Sequence, residues 1–238
     1  FGDIGDLPIF NSCSLADARS TLIETHEFVT AISLRVLQVW HQDGGAKYNF
    51  VPVMNYLGSS NKFINNHASP TGNMMDHRGN YYYVSHPPLA YIIPHYVFQM
   101  LNTKPTVLSL QMFHLFVNFL SAFCVYLIAI NLKQIRARSG IDRTAFAATT
   151  IYLFSSAVLW FQSNTYMSDM LVHFFFLIGV FITLKLLQFP SSKKWKLFFV
   201  VNLVAMIYTS WLGVFFAAVV FFGGLIFWKN KNGPILDV

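Results

Sequence analysis

Residues 81–91 read YYYVSHPPLAY and separate two halves of different composition. The half before them is polar and rich in Asn, Gly and His, whereas the half after them is almost entirely apolar. The tyrosines suit a membrane–water interface, because a ring can rest on lipid while its hydroxyl stays hydrated. Pro87 and Pro88 can open a helix, since the first helical N–H groups have no intrahelical acceptor to lose.

The composition of the chain points to an integral membrane protein. Of its 238 residues 55% are hydrophobic and 11% are charged, against roughly 25% charged in soluble domains. The chain begins with Phe1 and shows no signal peptide at its start, so we expect a processed product or a piece of something longer.

The positive charge is unevenly distributed. Residues 1–86 carry a net charge of −2 and residues 87–238 a net charge of +8. The second excess lies in short loops between apolar runs, which is the positive-inside pattern and argues against nucleic-acid binding. These loops contain Lys133, Arg136, Arg138 and Arg143, then Lys193, Lys194 and Lys196, then Lys229 and Lys231.

The apolar half predicts an all-α, multi-span helical bundle over residues 87–238. A span needs about 20 apolar residues, and basic loops mark the cytoplasmic ends. The run 197–228 has basic residues at both ends, so we divide it into two short spans joined at the polar turn 208–213. The expected helices are 88–101, 106–132, 144–161, 169–189, 197–209 and 212–228.

Residues 1–86 are predicted to form a first, non-cytoplasmic loop. Apolar positions at 29, 32, 36, 37 and 40 have helical spacing on one face, but charged residues make the run unsuitable as a span. We therefore expect an amphipathic helix over 23–40 on the membrane surface, followed by an ordered connection from His41 to Asn80. The same orientation places the turns 162–168 and 209–213 on this side.

The candidate functional residues are carboxylates and histidines on that side. Glu24, His26 and Glu27 lie on the surface helix, either as a wet face or near a low-dielectric boundary that suits a general base. Asp169 begins a span, where it is an N-cap or a functional acid. His86 precedes the Pro87 helix, as a cap or as a phosphate ligand.

The remaining histidines are expected to be structural, and the sequence shows no other catalytic or binding motif. His95, His114 and His173 lie in apolar runs, where packed, hydrogen-bonded core histidines are expected. The histidines have no metal-binding spacing, and no nucleotide-binding glycine loop or nucleophile elbow is visible.

The order of these features resembles the polytopic C-type glycosyltransferases, in particular the protein O-mannosyltransferase and lipid A aminoarabinose transferase group. The resemblance covers nearly the whole chain, and the order and sidedness of its motifs are more specific than any one of them. The resembling segments are Glu24-Thr25-His26 through Trp40, Ser85-His86-Pro87-Pro88-Leu89, Tyr166-Met167-Ser168-Asp169-Met170 and, more weakly, Thr209-Ser210-Trp211-Leu212-Gly213.

The resemblance implies sugar transfer from a polyprenyl- or dolichyl-phosphate donor at the non-cytoplasmic face of an inner, plasma or endoplasmic-reticulum-type membrane. It implies Glu24 or Glu27 as the catalytic base, and Asp169 is a further candidate catalytic carboxylate because of its position at the edge of the membrane. His86 would bind the donor phosphate, with Arg78 and His26 as further candidates. No cofactor is implied besides the lipid-linked sugar. No metal ligand is carried over, because Ser85 stands where some members have an acid, although a divalent metal stays open.

The sequence also leaves alternatives to an enzyme. Ile23 occupies the position of the family's usual Asp, so a noncatalytic membrane subunit or lipid-binding relative of the same fold is the second hypothesis. A transporter would show inverted repeats and intramembrane charge pairs, and neither is visible. Membrane lipids are expected partners, whereas the sugar, the acceptor and any protein partner are left open.

Overall fold

The computed structural model describes residues 24–53, 73–75, 80–84, 86–135, 143–155 and 168–229, which are mostly helical. These residues divide into two compact units, one up to Leu115 and the other from Phe116 onward. The elements are α1 Glu24–Asp43, a 3₁₀ helix Gly45–Tyr48, β1 Asn73–Met75, β2 Tyr81–Tyr83, α2 Leu89–Met100, α3 Val107–Ile135, α4 Arg143–Leu153, α5 Ser168–Gln188, α6 Lys193–Thr209 and α7 Trp211–Lys229.

The first unit is built around Trp40, near the end of α1. Its indole is fully buried and meets the rings of Phe50, Tyr91 and His95 edge-on, with centroids 5.7, 6.3 and 5.5 Å away. Edge-to-face aromatic packing of this kind stabilises a core beyond the burial of apolar area. Because Tyr91 and His95 lie on α2, the indole fixes α2 against α1.

The middle of α1 is buried on more than its apolar stripe. Ser33 and Arg35, on the polar side of the predicted pattern, are only 1% and 6% exposed. The apolar stripe of Ile32, Val36 and Trp40 does face the core. An apolar stripe marks the face that packs on a helix's own core, but it cannot show whether other parts of the chain cover the opposite face.

The connection after α1 contains a small sheet that the all-α prediction omits. Strand β1 pairs antiparallel with β2, with Met74 opposite Tyr82. Val53 forms a further bridge to Tyr82, and the Tyr83 N–H donates to the Pro52 carbonyl at 2.8 Å. Of the tyrosines predicted to lie at a membrane interface, Tyr83 is therefore buried inside the first unit.

A charged hydrogen-bond cluster closes the turn after α1. The Asp43 carboxylate accepts from Lys47 Nζ at 2.8 Å and from the Tyr48 hydroxyl at 2.6 Å. The hydrogen bond from Lys47, and next the one from Tyr48, hold the pKa of Asp43 below its ordinary value. Burial, together with the bond to Asp43, raises the pKa of Tyr48.

This cluster predicts an acid-dependent contribution to stability. Because the folded-state pKa of Asp43 is lowered, the stabilisation is complete above about pH 5 and is lost as the pH falls through that pKa. Comparing unfolding of the native chain and Asp43→Asn across this range should show a small difference at neutral pH that vanishes in acid. A difference that is unchanged by pH would contradict this prediction.

In the second unit, α5, α6 and α7 pack as consecutive antiparallel neighbours. Buried Asn202 on α6 donates from Nδ2 to the Phe175 carbonyl of α5 at 3.0 Å. A Cβ at Gly179 would lie 3.1 Å from that same nitrogen. Small residues let membrane helices approach closely, and polar side chains then hydrogen-bond between them. The break between α6 and α7 falls at Ser210, inside the predicted turn.

Helix α3 has two contrasting faces. Met112, Phe116, Phe119 and Phe123 recur at intervals of four, three and four residues, and each is more than half exposed. Its opposite face is buried and includes polar groups, described below. Residues Val107–Leu132 of α3 and Asp169–Gln188 of α5 are the two described segments long and apolar enough to cross a membrane.

Candidate functional site

The best-defined candidate site is the carboxylate of Asp169 at the beginning of α5. The Ser210 hydroxyl donates to Asp169 Oδ1 at 2.7 Å. Ser210 is 2% exposed and lies between α6 and α7, where its oxygen also accepts weakly from the Leu212 N–H at 3.4 Å. A carboxylate in the first helical turn is stabilised by the helix dipole. The contact joins one end of α5 to the α6–α7 junction.

An apolar groove adjoins this carboxylate. Its volume is about 310 Å³, and Asp169 and His173 are its ionisable lining residues. The remaining lining side chains are Val172, Phe176, Met206, Leu212, Phe215, Phe216 and Val219. A groove of this composition can receive an apolar chain, with the carboxylate available to a hydroxyl or amine at the end of that chain.

His86 lies in the first unit, just before α2. Its imidazole is half-buried, with a centroid 5.7 Å from the Tyr83 ring. Pro88 is the N-cap residue of α2, and its carbonyl accepts from the Tyr91 and Ile92 N–H groups. His86 is therefore two residues before the N-cap residue and is not that residue itself, and phosphate binding stays a prediction.

The remaining predicted site residues are only partly covered by the structure. Glu24, His26 and Glu27 occupy the first two turns of α1 as the structure describes it. Their side chains lie outside the described atoms, and Arg78 lies outside the described residues altogether. The roles assigned to these four residues therefore stay predictions.

Two of the histidines in apolar runs pack as expected. His95 is 3% exposed and contacts both Trp40 and Tyr96 edge-on. His173 on α5 is half-buried, and its ring stacks with the rings of Tyr152 and Phe176, at centroid distances of 5.9 and 6.5 Å. Packing explains both side chains, although His173 also borders the groove.

A polar stripe on α3 was not predicted, because its residues were considered one at a time. His114, Asn118 and Ser121 are buried, at spacings of four and three residues. The Ser121 hydroxyl donates to the Val117 carbonyl at 2.9 Å, whereas Asn118 Oδ1 accepts no hydrogen bond from the described part of the chain. Buried polar groups in a membrane helix mark functional interiors by default. The helical spacing of these three polar residues within an apolar run is the sequence feature from which the stripe could have been predicted.

No group of three His, Cys, Asp or Glu side chains able to hold a metal ion occurs among the residues described above. Comparison of the chain with protein-family profiles, with curated proteins and with solved structures gives no match.

Proposed function

We propose that the chain is a membrane glycosyltransferase that moves a sugar from a polyprenyl- or dolichyl-phosphate donor to an acceptor on the non-cytoplasmic face. The observation that carries the proposal is the 2.7 Å hydrogen bond between Ser210 and Asp169. It brings together two of the segments that resemble the C-type glycosyltransferases, although they are 41 residues apart in sequence. If Asp169 served only as a helix cap, it would need no contact with the segment that contains Ser210.

The first unit supports the proposal in a similar way. The segment ending at Trp40 and the segment beginning at Ser85 are the other two that carry the resemblance. Trp40 packs against Tyr91 and His95, so α1 and α2 are held together directly beside these segments. In the first unit the contact lies beside the two segments, whereas in the second unit the hydrogen bond joins residues of the two segments themselves.

A membrane setting is supported by the exposed apolar surface. Besides the exposed stripe of α3, Val200, Val201, Phe215 and Val219 on α6 and α7 are more than half exposed. Soluble proteins rarely expose apolar side chains at this density, whereas lipid can cover them. We propose a multi-span bundle oriented by its basic loops, with residues 1–86 on the non-cytoplasmic side.

The proposed reaction needs one base and one binding site for the departing phosphate. Glu24, Glu27 or Asp169 takes the proton from the acceptor hydroxyl or amine as that group attacks the anomeric carbon. The bond from this carbon to the phosphate oxygen breaks, and the lipid phosphate leaves with the electron pair. His86 and Arg78 are assigned to the phosphate, because a carboxylate such as Asp169 repels it.

A noncatalytic, lipid-binding function is the second candidate. It is favoured by Ile23, which replaces the usual acid of the resembling family with a side chain that cannot accept a proton. In that case the groove beside Asp169 would bind a lipid without turnover.

The proposal is tested by reconstituting the full-length chain in vesicles that contain a prenyl-phosphate sugar. We expect sugar to pass to an acceptor and free prenyl phosphate to accumulate in equal amount, with no transfer from a nucleotide sugar. The chain with His86→Ala is the matched control for donor binding. Saturable binding of prenyl phosphate without transfer from any such donor would contradict the enzyme and favour the lipid-binding alternative.

A further inference from the structure

The end of the second unit opposite Asp169 carries a basic and aromatic surface, formed by Lys185, Lys193, Lys194, Trp195 and Lys196. The last four are consecutive at the start of α6, and Lys185 lies in the last turn of α5. Lys193, Lys194 and Lys196 are exposed. Asp169 is the sole carboxylate among the described residues of this unit, and ~25 Å of helix separates it from Lys185.

Aromatic rings organise this surface. The Lys194 Nζ lies 5.9 Å from the centroid of the Trp195 ring and 5.6 Å from that of Phe198. Trp195 itself packs edge-on against Phe181 and Phe198, with centroids 6.0 and 5.8 Å away. Lys185 Nζ sits 5.7 Å from the centroid of Phe181 and donates to Gln188 at 3.2 Å. Cation–π contacts of this geometry hold the ammonium groups over an ordered platform.

Exposed apolar side chains border the lysines. Leu187, Phe189, Leu197 and Val201 are all more than half exposed. Lysine stems can lie along such an apolar surface while their ammonium groups reach the polar layer above it. Trp is enriched at that same level of a membrane, where an apolar ring meets water. The surface therefore has the layered arrangement of a hydrocarbon–headgroup boundary.

We infer that this basic and aromatic surface binds the headgroups of anionic phospholipids. The positive charge, which has no neighbouring carboxylate in the described part of this unit, recognises the lipid phosphate and any further negative charge, while the adjoining apolar side chains contact the acyl chains. A soluble acidic partner would match the charge but would leave the apolar border exposed to water. The inference depends on the membrane location of the chain and is independent of the proposed sugar transfer.

The test is quenching of tryptophan fluorescence in the full chain by brominated lipids. The chain is reconstituted in brominated phosphatidylglycerol or in brominated phosphatidylcholine, and subtracting the signal of Trp195→Phe isolates Trp195 from the other tryptophans. We expect preferential quenching by phosphatidylglycerol that weakens at high salt. A surface lysine contributes roughly a fivefold preference for anionic lipid, so K193Q/K194Q/K196Q should lose a preference of about tenfold or more.

The charge-conserving variant K193R/K194R/K196R is the matched control and should retain the preference. Equal quenching of the native chain by both lipids would overturn the inference, whether or not the glutamine variant folds. Retention of the full preference in the folded glutamine variant would overturn it as well. Displacement of the anionic lipid by soluble polyglutamate at equal charge would assign the surface to an acidic protein and refute lipid binding.

Discussion

Replacing Asp169 with Asn should lower the rate of sugar transfer by about two orders of magnitude or more, while the protein stays folded. Asn caps a helix about as well as Asp, and its amide oxygen can still accept the hydrogen bond from Ser210. The substitution therefore removes the negative charge and little else. Loss of a general base typically costs ~10²–10⁴-fold in rate. The measurement is initial transfer rate in vesicles, with thermal unfolding measured on the same preparation.

Ser210→Ala is the matched control for this experiment. It removes the 2.7 Å hydrogen bond to Asp169 but leaves the carboxylate charge, so we expect a smaller loss of rate. If Asp169→Asn retains full activity, Asp169 is a cap and its assignment as a catalytic carboxylate is wrong. If Glu24→Gln or Glu27→Gln alone abolishes transfer under the same conditions, the base belongs to α1.

Replacing Gly213 with Ala should destabilise the second unit by upwards of ~3 kcal/mol, at the severe end of overpacking substitutions. A Cβ at this position would collide with the carbonyl group of Met206 and lie 2.6 Å from the Ile207 nitrogen. Backbone atoms cannot turn aside as a flexible side chain can. Helix α7 would have to move away from the end of α6, which would disturb Ser210 and its bond to Asp169.

Gly223→Ala is the internal comparison, because it makes the same chemical change in the same helix. A Cβ there meets nothing within 4 Å, so Ala should be neutral or stabilise α7 by about 0.5–1 kcal/mol through helix propensity. The two variants are compared by thermal unfolding in one detergent. Equal midpoints would show that the junction between α6 and α7 tolerates a side chain and would contradict the close approach.

Most helices were predictable, but the predicted helix 144–161 was wrong at its far end, because α4 ends at Leu153 and the next two residues are not helical. Long apolar runs specify α3 and α5 by length alone, and the polar pair Thr209-Ser210 correctly marks the break between α6 and α7. The start of α6 at Lys193 precedes the predicted residue 197, because lysines at a membrane boundary can be helical while their ammonium groups stay in water. Hydropathy reports burial in lipid and is a poor guide to where a helix begins.

The pairings between distant residues were not predictable. Nothing local in the sequence links Asp169 to Ser210, or Asn202 to the Phe175 carbonyl, because these contacts depend on how the helices pack. The coverage of Ser33 and Arg35 and the small sheet at Tyr81–Tyr83 depend equally on long-range contacts. The candidate site was therefore predicted only as a set of residue types expected on one side of a membrane. The distances and hydrogen bonds between these residues could be obtained only from the structure.

The hydrogen bond from Ser210 to Asp169 also constrains how the chain is made. The two residues are 41 positions apart, which corresponds to about 2–8 s of translation at ordinary rates. During this interval Asp169 has been synthesised while its partner Ser210 has not. Until Ser210 has been made, water or another group must solvate the Asp169 carboxylate, so this contact can form only after both α5 and α6 have been synthesised.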